Sequence, residues 1–288
     1  MPMILTKDKK ILVVGLGLMG GSYAEALTKA GYCVGGLSDN EDSLKYAIDK
    51  GIVSDGRCCV DGGFIGKYDI LVFCLYPHSF IKWIADNQHY IRSGALLTDV
   101  TGVKTSTVYE IQSILRKDLE FIASHPMAGR ESSGIEKSSS ELFKGANFIV
   151  TPTDANTDEA VMVCEDLGRE IGCSRISRLT PEKHDEMIGF LSQLTHCIAV
   201  SLMVCKESAH LVDYTGDSFR DLTRIARINE NMWPELFQLN KEELLNQMSL
   251  FLDKFNALKD AIATDDIEKE KEMMRLSSQR RILFDKEL

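Results

Sequence analysis

Two histidines in this chain follow apolar runs that end abruptly. His78 comes after Ile70-Leu71-Val72-Phe73-Cys74-Leu75-Tyr76-Pro77, and His125 after Glu120-Phe121-Ile122-Ala123-Ser124. An imidazole titrates near neutral pH, so at either place it can take the proton of a hydroxyl while a hydride leaves the carbon bearing it. Position alone leaves the two equal, with a structural hydrogen bond as the alternative for each. A third histidine, His196, shares a segment with Ser192 and Gln193. Residues three or four apart share a helix face, so these would form a polar patch on an otherwise apolar helix. Arg220, Arg224 and Arg227 are spaced by four and three, which lines three guanidinium groups along one side of a helix. Such a row is either a solvated face or a site for carboxylates.

Hydride chemistry needs an acceptor, and Val13-Val14-Gly15-Leu16-Gly17-Leu18-Met19-Gly20-Gly21 is built to hold one. Gly15 permits a tight strand-to-helix turn, Gly17 lets a pyrophosphate approach the backbone, and Gly20 lets helix and strand pack closely. Ser22-Tyr23-Ala24-Glu25-Ala26-Leu27 reads as helix, whose free N–H groups and positive dipole end suit a phosphate, with Leu18 and Met19 of the loop as further cofactor contacts. The alternative is a glycine turn kept for packing. Asp39, at the end of the apolar run Tyr32 to Leu37, lies roughly 20 residues on, where an acid takes a ribose hydroxyl. An acid there favours NAD over NADP, whose extra phosphate it would repel.

Along the chain, β-branched apolar runs alternate with helical patterns. Strands are expected at 10–14, 32–37, 68–76, 95–100, 120–124, 147–151 and 174–179, the last two as a sheet extension; helices are expected near 41–50, 79–90, 104–116 and 157–171. This order predicts an α/β fold with a doubly wound, Rossmann-type parallel sheet, whose ligands lie beyond the carboxyl ends of the strands. From Pro181 the patterns are helical only. We therefore expect an NAD-binding domain over 1–178 and an all-helical substrate-binding and dimerisation domain over 179–288. Within the latter, Leu244, Met248, Phe251, Phe255, Leu258 and Ile262 form a seam at alternating spacings of four and three. It serves either as intramolecular core or as the contact of a two-fold homodimer.

The formal net charge of −10 argues against nucleic acid or an acidic membrane as partner, because both require a basic surface. An anionic substrate must then meet a local cluster of positive charge. We expect no run approaching the ~20 apolar residues of a membrane span and no secretory leader, hence a cytoplasmic protein. Eight scattered cysteines without a Cys-x-x-Cys pair read as buried, reduced thiols rather than a metal site or disulfides.

The run His125-Pro126-Met127-Ala128-Gly129 carries a more specific signal than the glycines. Taken with Thr98-Asp99, Val103-Lys104, Ser192-x-Leu194-x-His196 and Thr223-Arg224-Ile225-Ala226, it resembles the prephenate/arogenate dehydrogenase family of tyrosine biosynthesis over nearly the whole chain. The resemblance implies an enzyme that binds NAD or NADP, dimerises through its helical domain, and oxidises C4 of a cyclohexadienol while the ring carboxylate leaves as CO2. It further implies that His125 is the catalytic base, that His78 is structural, and that Arg224 holds the substrate's side-chain carboxylate. His196 would touch substrate, Glu131 would belong to an ionic gate at the pocket mouth, and Trp233 would either reach a neighbouring subunit's site or sit in the core.

The pattern departs from the family at two places. Gln193 and Thr195 stand where many members have histidine and proline, which puts the hydrogen bonds to substrate in question. Gly102 stands where many have a serine bonded to the catalytic histidine; Thr101 or a water would substitute, or the histidine would be oriented otherwise. Lys104 matches a lysine common in that loop and would hold it. The resemblance implies NAD-dependent oxidation of prephenate, with arogenate as the alternative substrate. A β-hydroxyacid dehydrogenase is the enzymatic rival, but its glycine-rich lysine helix is missing. A non-catalytic NAD-binding sensor would need no His125.

Overall fold

The computed structural model describes residues 4–130, 132–207 and 210–283. Its central strands are mostly apolar because both of their faces are covered. Strand β1 (Lys10–Val14) leads through the glycine turn to helix α1 (Leu18–Lys29), then β2 (Cys33–Leu37), α2 (Glu41–Asp49), β3 (Asp55–Arg57), a short α3 (Gly62–Ile65) and β4 (Ile70–Phe73). Next come α4 (Pro77–Asn87), β5 (Leu96–Asp99), α5 (Thr105–Ile114) and β6 (Glu120–Phe121). The six strands pair in parallel in the order β3-β2-β1-β4-β5-β6. That is the doubly wound order, with its switch point between β1 and β4. Alternate residues divide between the faces: Ile11, Val13, Ile70 and Val72 enter one core, and Leu12, Val14, Leu71 and Phe73 the other. Each such buried side chain stabilises the fold by about 1.5–3 kcal/mol.

The expected strand over 120–124 divides in two. β6 pairs with β5, whereas β7 (Ala123–Pro126) pairs antiparallel with β8 (Asn147–Thr151), which is parallel to β9 (Arg175–Arg178). The cause is Asp99, whose carboxylate accepts from the Ser124 backbone N–H at 3.1 Å, while Ser124 Oγ bonds the Asp99 carbonyl at 2.8 Å. A side chain thus ends the ladder, and the chain moves to a second sheet of three strands rather than extending the first. Helix α6 (Asp158–Glu170), capped by the Thr157 side chain, packs against β8 and β9. β3 escaped the sequence reading because Asp55-Gly56-Arg57 offers no apolar alternation.

Thr180 caps α7 (Pro181–Ile188), and Pro181 sets its first turn. The single helix expected over 181–204 is interrupted: a π-helical stretch, Gly189–Leu194, separates α7 from α8 (Thr195–Val204). This stretch also overturns the expectation about membrane-length runs. Pro181–Val204 is long and apolar enough to cross a membrane by length and composition, because residues 187–204 contain no Asp, Glu, Lys or Arg. Only 28% of that apolar window is buried in the chain. Short helices α9 (Leu211–Tyr214) and α10 (Asp217–Thr223), a 3-10 turn (Arg224–Ala226) and α11 (Met232–Leu239) follow.

The chain up to Asn240 forms one compact unit and Lys241 onward a second. In the second, α12 (Lys241–Ala263) and α13 (Ile267–Ile282) pack together. Of the α12 seam, Leu244 is buried, whereas Phe255 and Ile262 are exposed. All eight cysteines are free, but burial was overestimated: Cys164 and Cys173 are buried, while Cys33, Cys59 and Cys205 are exposed. Cys33 opens β2, Cys205 follows α8 and Cys59 lies in the loop after β3, places where an apolar neighbourhood in sequence does not mean enclosure.

Candidate active site

At the carboxyl end of β1, Gly15 adopts φ +95°, a conformation side chains disfavour, and a Cβ on Gly20 would lie 1.8 Å from the Gly15 carbonyl oxygen. Both positions require glycine. A Cβ on Gly17 would meet nothing within 4 Å, so the opposite side of the turn is open. Gly17 caps α1 with no side-chain hydrogen bond, and no acid occupies the first turn that Leu18, Met19 and Gly20 form. The helix therefore presents uncapped N–H groups and its positive dipole to open space, which fits a dinucleotide pyrophosphate. Gly15 N donates to Leu37 O at 2.8 Å, tying the turn to the end of β2, and Asp39 is exposed two residues beyond.

His125 lies on β7 directly after Ser124, and so is fastened through Ser124 to Asp99 at the carboxyl end of β5. Asp99 is wholly buried and charge-paired. Lys104 Nζ donates to Asp99 Oδ2 at 2.7 Å and to Ser124 O at 2.6 Å, and the Thr101 hydroxyl also donates to Asp99. Lys104 is itself fully buried, and burial pulls its pKa below the usual lysine value against the pull of Asp99. The His125 imidazole has its own partner: Nδ1 lies 2.9 Å from Nε2 of His184. His184 Nδ1 in turn lies 2.8 Å from Asp185 Oδ1. The two Asp185 oxygens accept the backbone N–H groups of Lys104 and Thr105, each at 2.8 Å, at the start of α5.

Burial drives the His125 pKa well below its ordinary value, and the neighbouring His184 and Lys104 push the same way. Burial also lowers His184, though Asp185 opposes it. Burial would raise Asp185, but its hydrogen bonds from His184 and Thr105 bring it below the ordinary carboxylate value. Near neutral pH the row is therefore imidazole, imidazole, carboxylate. His125 keeps part of its surface accessible while His184 is sealed, so one imidazole edge can meet a substrate.

On α8, the His196 ring sits 3.9 Å from the Trp233 ring, and its Nδ1 lies 2.8 Å from Ser192 O. The turn Arg224–Ala226 packs against α8, which brings Arg224 to the helix that carries His196. Arg224 is exposed. The three arginines do not share one helix: α10 ends at Thr223, Arg224 opens the 3-10 turn, and Arg227 lies beyond it. Gln193 turns inward instead of joining His196; its amide donates to Leu236 O at 3.1 Å, and its oxygen accepts from Asn240 at 2.8 Å. Asn240 Nδ2 also bonds Asp185 O at 2.9 Å, so Gln193 braces the His125 corner.

His78 stands apart: its backbone N–H and its ring both meet Glu235, each at 2.8 Å. Thr101 does not replace the missing serine, because its hydroxyl is engaged with Asp99 and Val103 O. Glu131 lies outside the described residues. His184 and Asp185 went unnoticed in the sequence, where they read as two more polar residues in Glu182-Lys183-His184-Asp185-Glu186. The available signal was a histidine beside an acid just after a Thr-Pro helix start.

Residues 23–176 match the family described as prephenate dehydrogenase, nucleotide-binding domain, and residues 180–276 match prephenate dehydrogenase, dimerization domain. The chain is 29% identical over 271 residues to cyclohexadienyl dehydrogenase of Zymomonas mobilis, covering 91% of each. It is 26% identical over 265 residues to prephenate dehydrogenase of Bacillus subtilis, covering 90% of this chain and 71% of that one. Among solved structures, prephenate dehydrogenase from A. aeolicus in complex with hydroxyphenyl propionate and NAD+ superposes with a TM-score of 0.87 at 29% identity, covering 98% of this chain and 99% of that one. With both family domains matched in order along its length, the chain belongs to the prephenate dehydrogenase family.

Proposed function

We propose that the chain catalyses the NAD-dependent oxidative decarboxylation of prephenate to 4-hydroxyphenylpyruvate. The observation that carries this reading is the partly accessible imidazole of His125, fastened through Ser124 to Asp99 at the carboxyl end of β5, the same end of the parallel sheet at which β1 leads into an uncapped dinucleotide turn. NAD, when bound, would supply the acceptor for the C4 hydride. Gly15, Gly17, Leu18, Met19 and Gly20 would hold its pyrophosphate, and Asp39 would accept from its ribose. His125 takes the C4 hydroxyl proton as the carbonyl forms. The electrons of the breaking ring–carboxylate bond enter the ring, CO2 leaves, and the proton returns to the phenolic oxygen, so no net proton is released. Arg224 pairs with the side-chain carboxylate, and His196, steadied by Trp233, contacts the substrate.

The division at 178/179 is supported by the gap between the two matched family regions, 23–176 and 180–276. A homodimer is supported by the dimerization-domain match and by exposed apolar side chains: Val204, Val212 and Tyr214 are 77%, 73% and 84% exposed. A cytoplasmic location is supported by eight free cysteines, the usage of a reducing compartment.

The deciding experiment follows NADH formation with prephenate and with arogenate, each with NAD and NADP. Prephenate with NAD is expected to give the highest kcat/KM, and His125→Asn to lower kcat by roughly 10²-fold or more with NAD binding intact. Failure to oxidise prephenate, or a fully active His125→Asn, would remove the proposal.

A further inference from the structure

The row His125, His184, Asp185 holds more than proximity. We propose that His184 and Asp185 are positioning residues that fix the tautomer of His125, keeping a proton on its Nδ1 and a lone pair on its Nε2 for the substrate hydroxyl. The inference rests on the reading of His125 as the base. An ionised carboxylate can only accept, and both Asp185 oxygens already accept backbone N–H groups at the start of α5. The proton between Asp185 and His184 must therefore reside on His184 Nδ1. A neutral imidazole with hydrogen on Nδ1 accepts at Nε2, so the 2.9 Å contact to His125 runs from His125 Nδ1–H to His184 Nε2. One anchored carboxylate thus dictates the proton arrangement two side chains away.

The surrounding charges agree with this order. The titratable groups around His184 are His125, Asp185, Lys104 and Asp99. The buried ammonium of Lys104, spent on Asp99 and Ser124 O, opposes a second cation on either imidazole. After His125 has taken the substrate proton, its Nδ1–H still points along the row toward the carboxylate. Among the described residues, no competing partner disturbs the row. Gly102 has no side chain, although a Cβ there would lie 3.9 Å from His125 Cε1, and the Thr101 hydroxyl is committed elsewhere. Among the described residues, orienting His125 Nδ1 falls to His184.

Asp185→Asn places an amide where the carboxylate accepts, which favours the opposite tautomer along the row. It is expected to lower kcat by about 10²-fold or more, leaving KM for prephenate and Kd for NAD within about threefold. His184→Leu, which removes the acceptor, is expected to match it, while His184→Gln, whose carbonyl can accept from Nδ1–H, recovers at least tenfold. Nitrogen-15 NMR of the histidine-labelled wild-type enzyme reads the tautomer without any variant. A protonated Nδ1 and an unprotonated Nε2 on His125 are expected, and the reverse assignment overturns the proposal even if the variants fail to fold. If His125→Asn is inactive while Asp185→Asn and His184→Leu keep kcat within about threefold, the positioning role alone falls. If His125→Asn is fully active, the base reading falls with it.

Discussion

The two histidine corners of the first compact unit are built on opposite plans. Around His125 the supporting groups Asp99, Lys104, Ser124, His184 and Asp185 are sealed from solvent, and each is bonded to another part of the chain. Around His196 the ring is partly accessible, Arg224 is exposed, and the nearby helices present Val212, Tyr214 and Leu222 outward. A group that moves a proton must be held in one orientation and one protonation state, which burial and fixed dipoles provide. A group that recognises a substrate from solution must be reachable, and its surroundings can be completed when substrate or a second subunit arrives. The difference separates holding from receiving.

That contrast can be broken by removing one cation from each corner. Lys104→Ala leaves Asp99 buried without its ion-pair partner, and is expected to destabilise the fold by about 3–5 kcal/mol in denaturant titration. An unchanged midpoint would mean that the buried pair contributes nothing. Arg224→Ala is expected to leave stability within about 0.5 kcal/mol. Its effect appears instead as a rise in KM for prephenate of roughly 10- to 100-fold, the loss of one charge-assisted contact. A rise in KM for NAD alone would contradict its role.

The smallest effect sharpens the comparison rather than breaking it. His125 and His184 have folded pKa values below the unfolded value of about 6.5, so the unfolded chain binds protons first as pH falls. Their contribution to stability is complete above about pH 6.5 and declines below it, toward the folded values. Thermal midpoints measured from pH 8 to pH 5 are expected to fall below about 6.5, and less steeply in His125→Asn. A midpoint that rises on acidification would reverse the sign.

The parallel sheet and the dinucleotide turn were legible because local rules write them. Runs such as Ile70-Leu71-Val72-Phe73 declare strands covered on both faces, and Gly15 and Gly20 answer to backbone constraints within a few residues. The His125 corner was legible in part: the histidine stood at a strand end, but its partners come from the start of α5 and from α7, residues 104–105 and 184–185. No local pattern joins segments about 80 residues apart. The division of the strand at Ile122 was hidden for a similar reason, since it depends on Asp99 intercepting the Ser124 N–H. Gln193 was misread because a regular helical period was assumed through residues that are π-helical.

That π-helical stretch has a consequence for the spacing of the chain as a written text. A π-turn holds one residue more than the α-helical frame accommodates, and each residue of an α-helix advances the face by about 100°. Gly189–Leu194 therefore acts as a shift of reading frame in the helix: before it, His184 meets His125 on β7 and Asp185 meets the start of α5; after it, Gln193 points inward and His196 meets Trp233. A single codon in that stretch thus sets the angle between His184, which meets His125, and His196, which meets Trp233.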